Sequence, residues 1–132
     1  MKYWLVKQEP TAYSWDDFVA DGKTDWTGVR NFQARNFLKE MKNGDKVYYY
    51  HSNVGKEVVG IAEVTKEGFP DPTDTAWTAV ELTPVKPLKK PVTLAQIKAN
   101  AALANIYLVR QPRFSVMPLT KDEYQEILSM SK

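Results

Sequence analysis

Two periodicities divide the chain into strands and helices. Tyr3, Leu5 and Lys7 alternate with Trp4, Val6 and Gln8, and both sets are strand formers up to the polar exit. Residues 2 to 8 are therefore expected to form a strand buried on both faces, stopped by Pro10. Ala34, Phe37, Leu38 and Met41 fall at i, i+3, i+4 and i+7, which predicts a helix from about 32 to 42 with one buried stripe. At about 100° per residue, Phe32 and Asn36 point to the opposite side.

The remaining elements follow from the same two patterns and from capping residues. Ser14 with Asp17 three positions later starts a short helix through about Ala20, buries Trp15 and Phe18, and is ended by Asp21-Gly22. Residues 46 to 52 read as a strand, with Val47, Tyr49 and His51 on one face and Tyr48, Tyr50 and Ser52 on the other. Asn53 to Lys56 is a hairpin connection into a strand from 57 to about 67, where Gly60 marks a bulge or a close backbone approach. A loop over 68–74 leads to a strand over about 76–85. Lys86, Lys89 and Lys90 among Pro84, Pro87 and Pro91 then read as an exposed, kinked connection. Thr93 caps a helix ended or kinked at Asn100, and 107–118 is expected to be extended, interrupted at Pro112 and closed at Pro118. Thr120 with Glu123 starts a last helix that turns Tyr124, Ile127 and Leu128 inward. Strands mixed with peripheral helices imply an α+β fold around a mostly antiparallel sheet that can curl into a barrel.

Length and composition narrow the function more than the fold. A chain of 132 residues is most simply one domain spanning 1–132, able to bury a core without disulfides. The absence of cysteine removes disulfides, thiolate chemistry and Cys-based zinc, and a single histidine, His51, removes any His-rich metal site. No Gly-x-Ser-x-Gly elbow or phosphate-binding Gly-rich loop is present. The acidic pairs Asp16-Asp17 and Asp122-Glu123 fall in first turns of helices, where they complement the dipole. His51 at a strand end reads either as a general base or as a hydrogen-bonded structural imidazole. Enzyme chemistry, a metal and a cofactor are accordingly not expected. No segment has the apolar length of a signal peptide or a membrane span, so a soluble intracellular protein is expected. The net charge of +2, from 18 basic and 16 acidic residues, gives no global field for a polyanion. Any nucleic-acid affinity must come from a local patch.

One stretch offers such a patch. Trp26, Arg30, Asn31 and Phe32 precede or open the central helix and combine stacking surface with hydrogen-bond donors and acceptors suited to a planar polar ligand. The same residues also have a purely local reading, with Phe32 stapling the helix start and Asn31 capping it. Aromatics near Arg30, Arg35, Arg110 and Arg113 can stack bases and contact phosphates.

Four separated motifs occur in register along the whole chain: Trp4-Leu5-Val6-Lys7-Gln8-Glu9-Pro10, Trp26 through Asn36, Tyr50-His51-Ser52-Asn53 with Gly60 through Val64, and Arg110-Gln111 with Ser115-Val116-Met117-Pro118. Together they resemble the EVE domain family. The resemblance implies a PUA-like fold, a curled, mostly antiparallel β-sheet pseudobarrel with peripheral helices. By similarity to YTH and SRA domains it also implies a module that reads a modified nucleobase in DNA or RNA. The implied pocket is built from Trp26, Arg30, Asn31 and Phe32, floored by Lys7, Glu9, His51 and Ser52, and closed by Ser115, with Arg35, Arg110 and Arg113 as phosphate contacts. A base flipped into it needs stacking and edge hydrogen bonds but no catalytic group. Two departures from the family pattern are Gln8, where a small hydroxyl residue is usual, and Phe32, where tyrosine is common. The expected partner is nucleic acid, bound by a monomer away from membranes. The start directly at the first strand, without the basic extension of nuclear members, fits a prokaryotic cytoplasmic protein. Two other functions compete: a pocket for a free nucleotide or small planar metabolite, and an enzyme acting on a modified base through His51 and Glu9.

Overall fold

The computed structural model describes residues 1–132 and arranges six strands in one sheet. In chain order the elements are β1 (Tyr3–Gln8), α1 (Trp15–Asp21), β2 (Thr24–Trp26), α2 (Phe32–Glu40), β3 (Lys46–His51), β4 (Glu57–Asp71) and β5 (Asp74–Thr93). They continue with α3 (Leu94–Ala99), a 3-10 turn (Ala101–Leu103), α4 (Tyr107–Arg110), β6 (Val116–Leu119) and α5 (Lys121–Met130). The spatial strand order is β2-β5-β4-β3-β1-β6. Only β1 and β3 pair in parallel, so the sheet is mostly antiparallel. Its edge strands β2 and β6 do not pair with each other, and the curled sheet stays open.

Alternation along the central strands feeds two cores. Trp4 and Val6 of β1 join Val47 and Tyr49 of β3 on the face covered by α1 and α2, together with Trp15, Phe18, Ala34, Phe37 and Leu38. Leu5, Tyr48 and Tyr50 point the other way, into a core with Ile97, Leu108, Tyr124 and Ile127 from α3, α4 and α5. Both faces are therefore dry, which is why β1 reads as a near-continuous apolar run. Capping boxes start α1 at Ser14, α3 at Thr93 and α5 at Thr120. Gly60 lies at a register shift between β4 and β5, and a Cβ there would meet the Trp15 ring at 2.5 Å.

Three expectations are corrected and one element is added. The loop expected over 68–74 is two long strands joined by Pro72 and Thr73, because the Asp71 carboxylate organises the turn by accepting from the Thr73 N–H and hydroxyl at 2.8 and 2.6 Å. The connection expected at Lys86, Lys89 and Lys90 is the second half of β5. Its prolines sit at or within the register shifts opposite Ala62–Ile61 and Gly60–Val58, where the ladder is already irregular. The expected extended segment over 107–118 begins with a one-turn helix, α4, and turns at Pro112 into β6. Pro118 is tolerated in β6 because that strand is an edge. The short strand β2, which carried no periodic signal, pairs Trp26 with Val80 of β5.

Candidate nucleic-acid interface

Parallel pairing of β1 and β3 sets their carboxyl ends side by side, with Lys7 opposite Tyr50 and Gln8 opposite His51. The Ser52 N–H donates to the Gln8 carbonyl and the Lys7 N–H to the Ser115 carbonyl, both at 2.9 Å. The Lys7 ammonium donates to the Pro112 carbonyl at 2.7 Å and lies 6.0 Å from the Tyr50 ring centroid, and burial lowers its pKa. The Asn53 amide donates to the Glu9 carboxylate. Lys7, Glu9, His51, Ser52 and Ser115 thus gather at one end of the sheet, supplying an ammonium, a carboxylate and two hydroxyls.

His51 belongs to this group but has a local task. Its Nε2 accepts from the Trp15 N–H at 3.0 Å, which requires an unprotonated nitrogen there. Burial lowers its pKa, against the opposing pull of Glu57 and Asp16. An imidazole so engaged is poorly placed to abstract a proton through Nε2. No cluster of three or more His, Asp or Glu side chains is arranged to hold a metal ion.

The entrance to α2 forms a second group. Trp26 is only 6 % exposed and meets the Tyr49 ring edge-on at 5.7 Å, so it is a core residue that a ligand could reach only at its rim. Asn31 is the N-cap of α2, its side-chain oxygen accepting from the Ala34 N–H at 3.0 Å. Arg30 leaves the loop for the β4–β5 turn, where its guanidinium donates to Asp71 at 3.1 Å and to the Thr73 hydroxyl at 2.9 Å. Phe32 is 66 % exposed and lies 5.1 Å from the Trp77 ring. The Arg35 guanidinium sits 5.0 Å from the Phe32 ring centroid and 5.4 Å from that of Trp77.

The residues expected in a single pocket therefore divide between the sheet end and this outer face. Helical phase is the reason: Ala34, Phe37 and Leu38 are buried, and Phe32 lies on the other side. Of the expected phosphate contacts, Arg35 donates to the Ala76 carbonyl at 3.2 Å, Arg110 to the Asn105 side chain at 2.9 Å, and Arg113 is exposed. Arg110 also lines a cavity of about 500 Å³ with Gln33, Asn105, Tyr107, Gln111 and Phe114. Sequence reasoning missed Trp77; its one signal was an aromatic at the polar start of a strand, beside the exposed Thr75 and Ala76.

A family model described as the EVE domain matches residues 2–130. Human thymocyte nuclear protein 1 is 31% identical, with 98% of this chain and 74% of that protein aligned. The crystal structure of protein Atu2648 from Agrobacterium tumefaciens superposes with a TM-score of 0.97 at 45% identity, covering 99% of this chain and 93% of that one. The crystal structure of human THYN1 protein in complex with 5-methylcytosine-containing DNA superposes with a TM-score of 0.94 at 30% identity, covering 100% of this chain and 98% of that one.

Proposed function

The chain belongs to the EVE domain family, and from that premise we propose that it is a non-catalytic reader of a modified base in DNA, with a modified cytosine as the first candidate. The observation that carries this reading is the likeness, over the whole chain, to human THYN1 bound to 5-methylcytosine-containing DNA. In this reading the base leaves its stack and enters at the sheet end. There Lys7 and the Ser52 and Ser115 hydroxyls donate to its acceptor atoms, and Glu9 accepts from an exocyclic amine. Asn31, at the α2 entrance, lies along the nucleic-acid path, and Arg35, Arg110 and Arg113 take the phosphates. Extraction costs a few kcal/mol, which stacking and edge hydrogen bonds must offset. His51 serves as a structural acceptor for Trp15, so the reading needs no catalytic base.

Titration with oligonucleotides that carry 5-methylcytosine or cytosine at one position, at two salt concentrations, tests the proposal. The methylated strand should bind more tightly, with affinity falling as salt rises. Free 5-methyldeoxycytidine should bind far more weakly. Equal affinity for nucleoside and oligonucleotide would instead favour a small-metabolite pocket, and equal affinity for the two strands would remove this modification as the target.

A further inference from the structure

We propose that Phe32, Trp77 and Arg35 form a second, surface site, which stacks an unpaired base close to the one being read and holds its phosphate. The inference rests on the reading of this chain as a nucleic-acid binder. Phe32 is the single large apolar side chain of α2 left exposed, and its ring partners Trp77 across to β5. Around it Gln33, Asn36 and Thr75 are exposed and polar, so the exposed apolar surface is small: the Phe32 ring, the partly exposed Trp77 and Ala76. A stable protein interface needs roughly 800 Å² per partner; a single aromatic face suits one base.

Charge selects the same occupant. Arg35 makes no ion pair, the four present being Lys23–Glu81, Arg30–Asp71, Lys42–Glu67 and Lys46–Glu63. Its Nε is buried without a hydrogen-bond partner, and only Nη1 is engaged, by the Ala76 carbonyl at 3.2 Å. The uncompensated guanidinium beside an exposed ring suits a phosphate and its base. Arg30 plays a different part. Its charge is taken by Asp71 while its guanidinium lies 5.6 Å from the Trp77 ring centroid, so it holds that ring in place. Trp77 stands three positions along β5 from Val80, the partner of Trp26. That is roughly 10 Å along the strand, with the two side chains on alternate faces.

The test uses four oligonucleotides, with 5-methylcytosine or cytosine at the central position, each in a flush duplex or in a duplex with an unpaired flank. Phe32→Leu keeps an apolar side chain but removes the ring. It should lose roughly 5- to 100-fold in affinity for both flanked oligonucleotides, the effect of removing one base–aromatic stack. It should stay within about twofold of the wild type on flush duplexes and keep the preference for 5-methylcytosine unchanged. Phe32→Tyr should bind like the wild type, and Arg35→Gln should flatten the salt dependence by about one phosphate contact. Unchanged binding of Phe32→Leu to the flanked strands, an equal loss on flush duplexes, or a loss in Phe32→Tyr would each overturn the stacking site. If the wild type does not distinguish 5-methylcytosine from cytosine but Phe32→Leu still loses the flank-dependent affinity, the surface site stands and the reader assignment falls.

Discussion

Asp71 shows how one side chain can fix a loop, a turn and a cation together. It is fully buried at the β4–β5 turn and accepts from the Gly28 N–H at 2.9 Å, the Arg30 guanidinium at 3.1 Å, and the Thr73 N–H and hydroxyl. Gly28 can offer its N–H there because its φ of +79° suits a residue without a Cβ. Burial alone would raise the carboxyl pKa. The hydrogen bonds from Thr73, Gly28 and Arg30 outweigh it and hold the group well below the usual carboxylate range. Since the folded pKa lies below the unfolded one, the stabilisation is complete above the ordinary value of 3.8 and is lost as pH falls below it. Asp71→Ala leaves buried donors unpaired and should cost about 3 kcal/mol. Thermal melts should show that loss at neutral pH, together with a weaker acid-side decline than in the wild type; a variant that melts like the wild type at neutral pH would remove Asp71 from this role.

At the scale of elements, Asn31 caps α2, and the proposed reading sets the same residue beside the bound nucleic acid; a charge change separates the two roles. Asn31 caps the helix, while the first turn of α2 holds no acidic residue, unlike Asp16 and Asp17 in α1 or Asp122 and Glu123 in α5. Its amino-terminal end is thus left favourable to an anion. Asn31→Asp keeps the capping oxygen and should melt within about 0.5 kcal/mol of the wild type. It should nonetheless bind methylated DNA several-fold more weakly, because a carboxylate now faces the phosphates. Unchanged DNA affinity in that variant would confine Asn31 to the cap. The helix, its cap and its buried stripe were all legible in the sequence, because they depend on residues within two turns of one another. So were β1, β3 and the caps at Ser14 and Thr120. The β4–β5 turn was only partly legible: the Asp71–Thr73 contact is local, but the Gly28 and Arg30 donors that anchor Asp71 lie more than forty positions earlier in the chain. For the same reason Arg30 and Phe32 looked like pocket residues. Their neighbour Trp77 lay within the strand expected from about 76, but its approach to Phe32, Arg30 and Arg35 joins residues more than forty positions apart, which no local pattern states.

For the whole molecule, a net charge of +2 means that any pull on nucleic acid is local, and two groups of basic residues could supply it. Arg35, Arg110 and Arg113 accompany α2 and α4. Lys86, Lys89 and Lys132 line a cavity of about 410 Å³ beside α5, where the Lys90 N–H donates to the Ser131 carbonyl. If the first surface alone meets the backbone, about three phosphates are neutralised on a duplex with an unpaired flank, and log affinity should fall against log salt with a slope near −3, or near −2 on a flush duplex that leaves Arg35 unused. Replacing Lys86, Lys89 and Lys90 together by glutamine should leave that slope and the preference for 5-methylcytosine unchanged. Replacing Arg110 and Arg113 should reduce the slope by about two. A wild-type slope several units steeper, abolished by the lysine replacements, would move the DNA path to the cavity lined by Lys86, Lys89 and Lys132. A slope near zero would mean that the phosphates are not engaged and that the protein takes a free base or nucleoside.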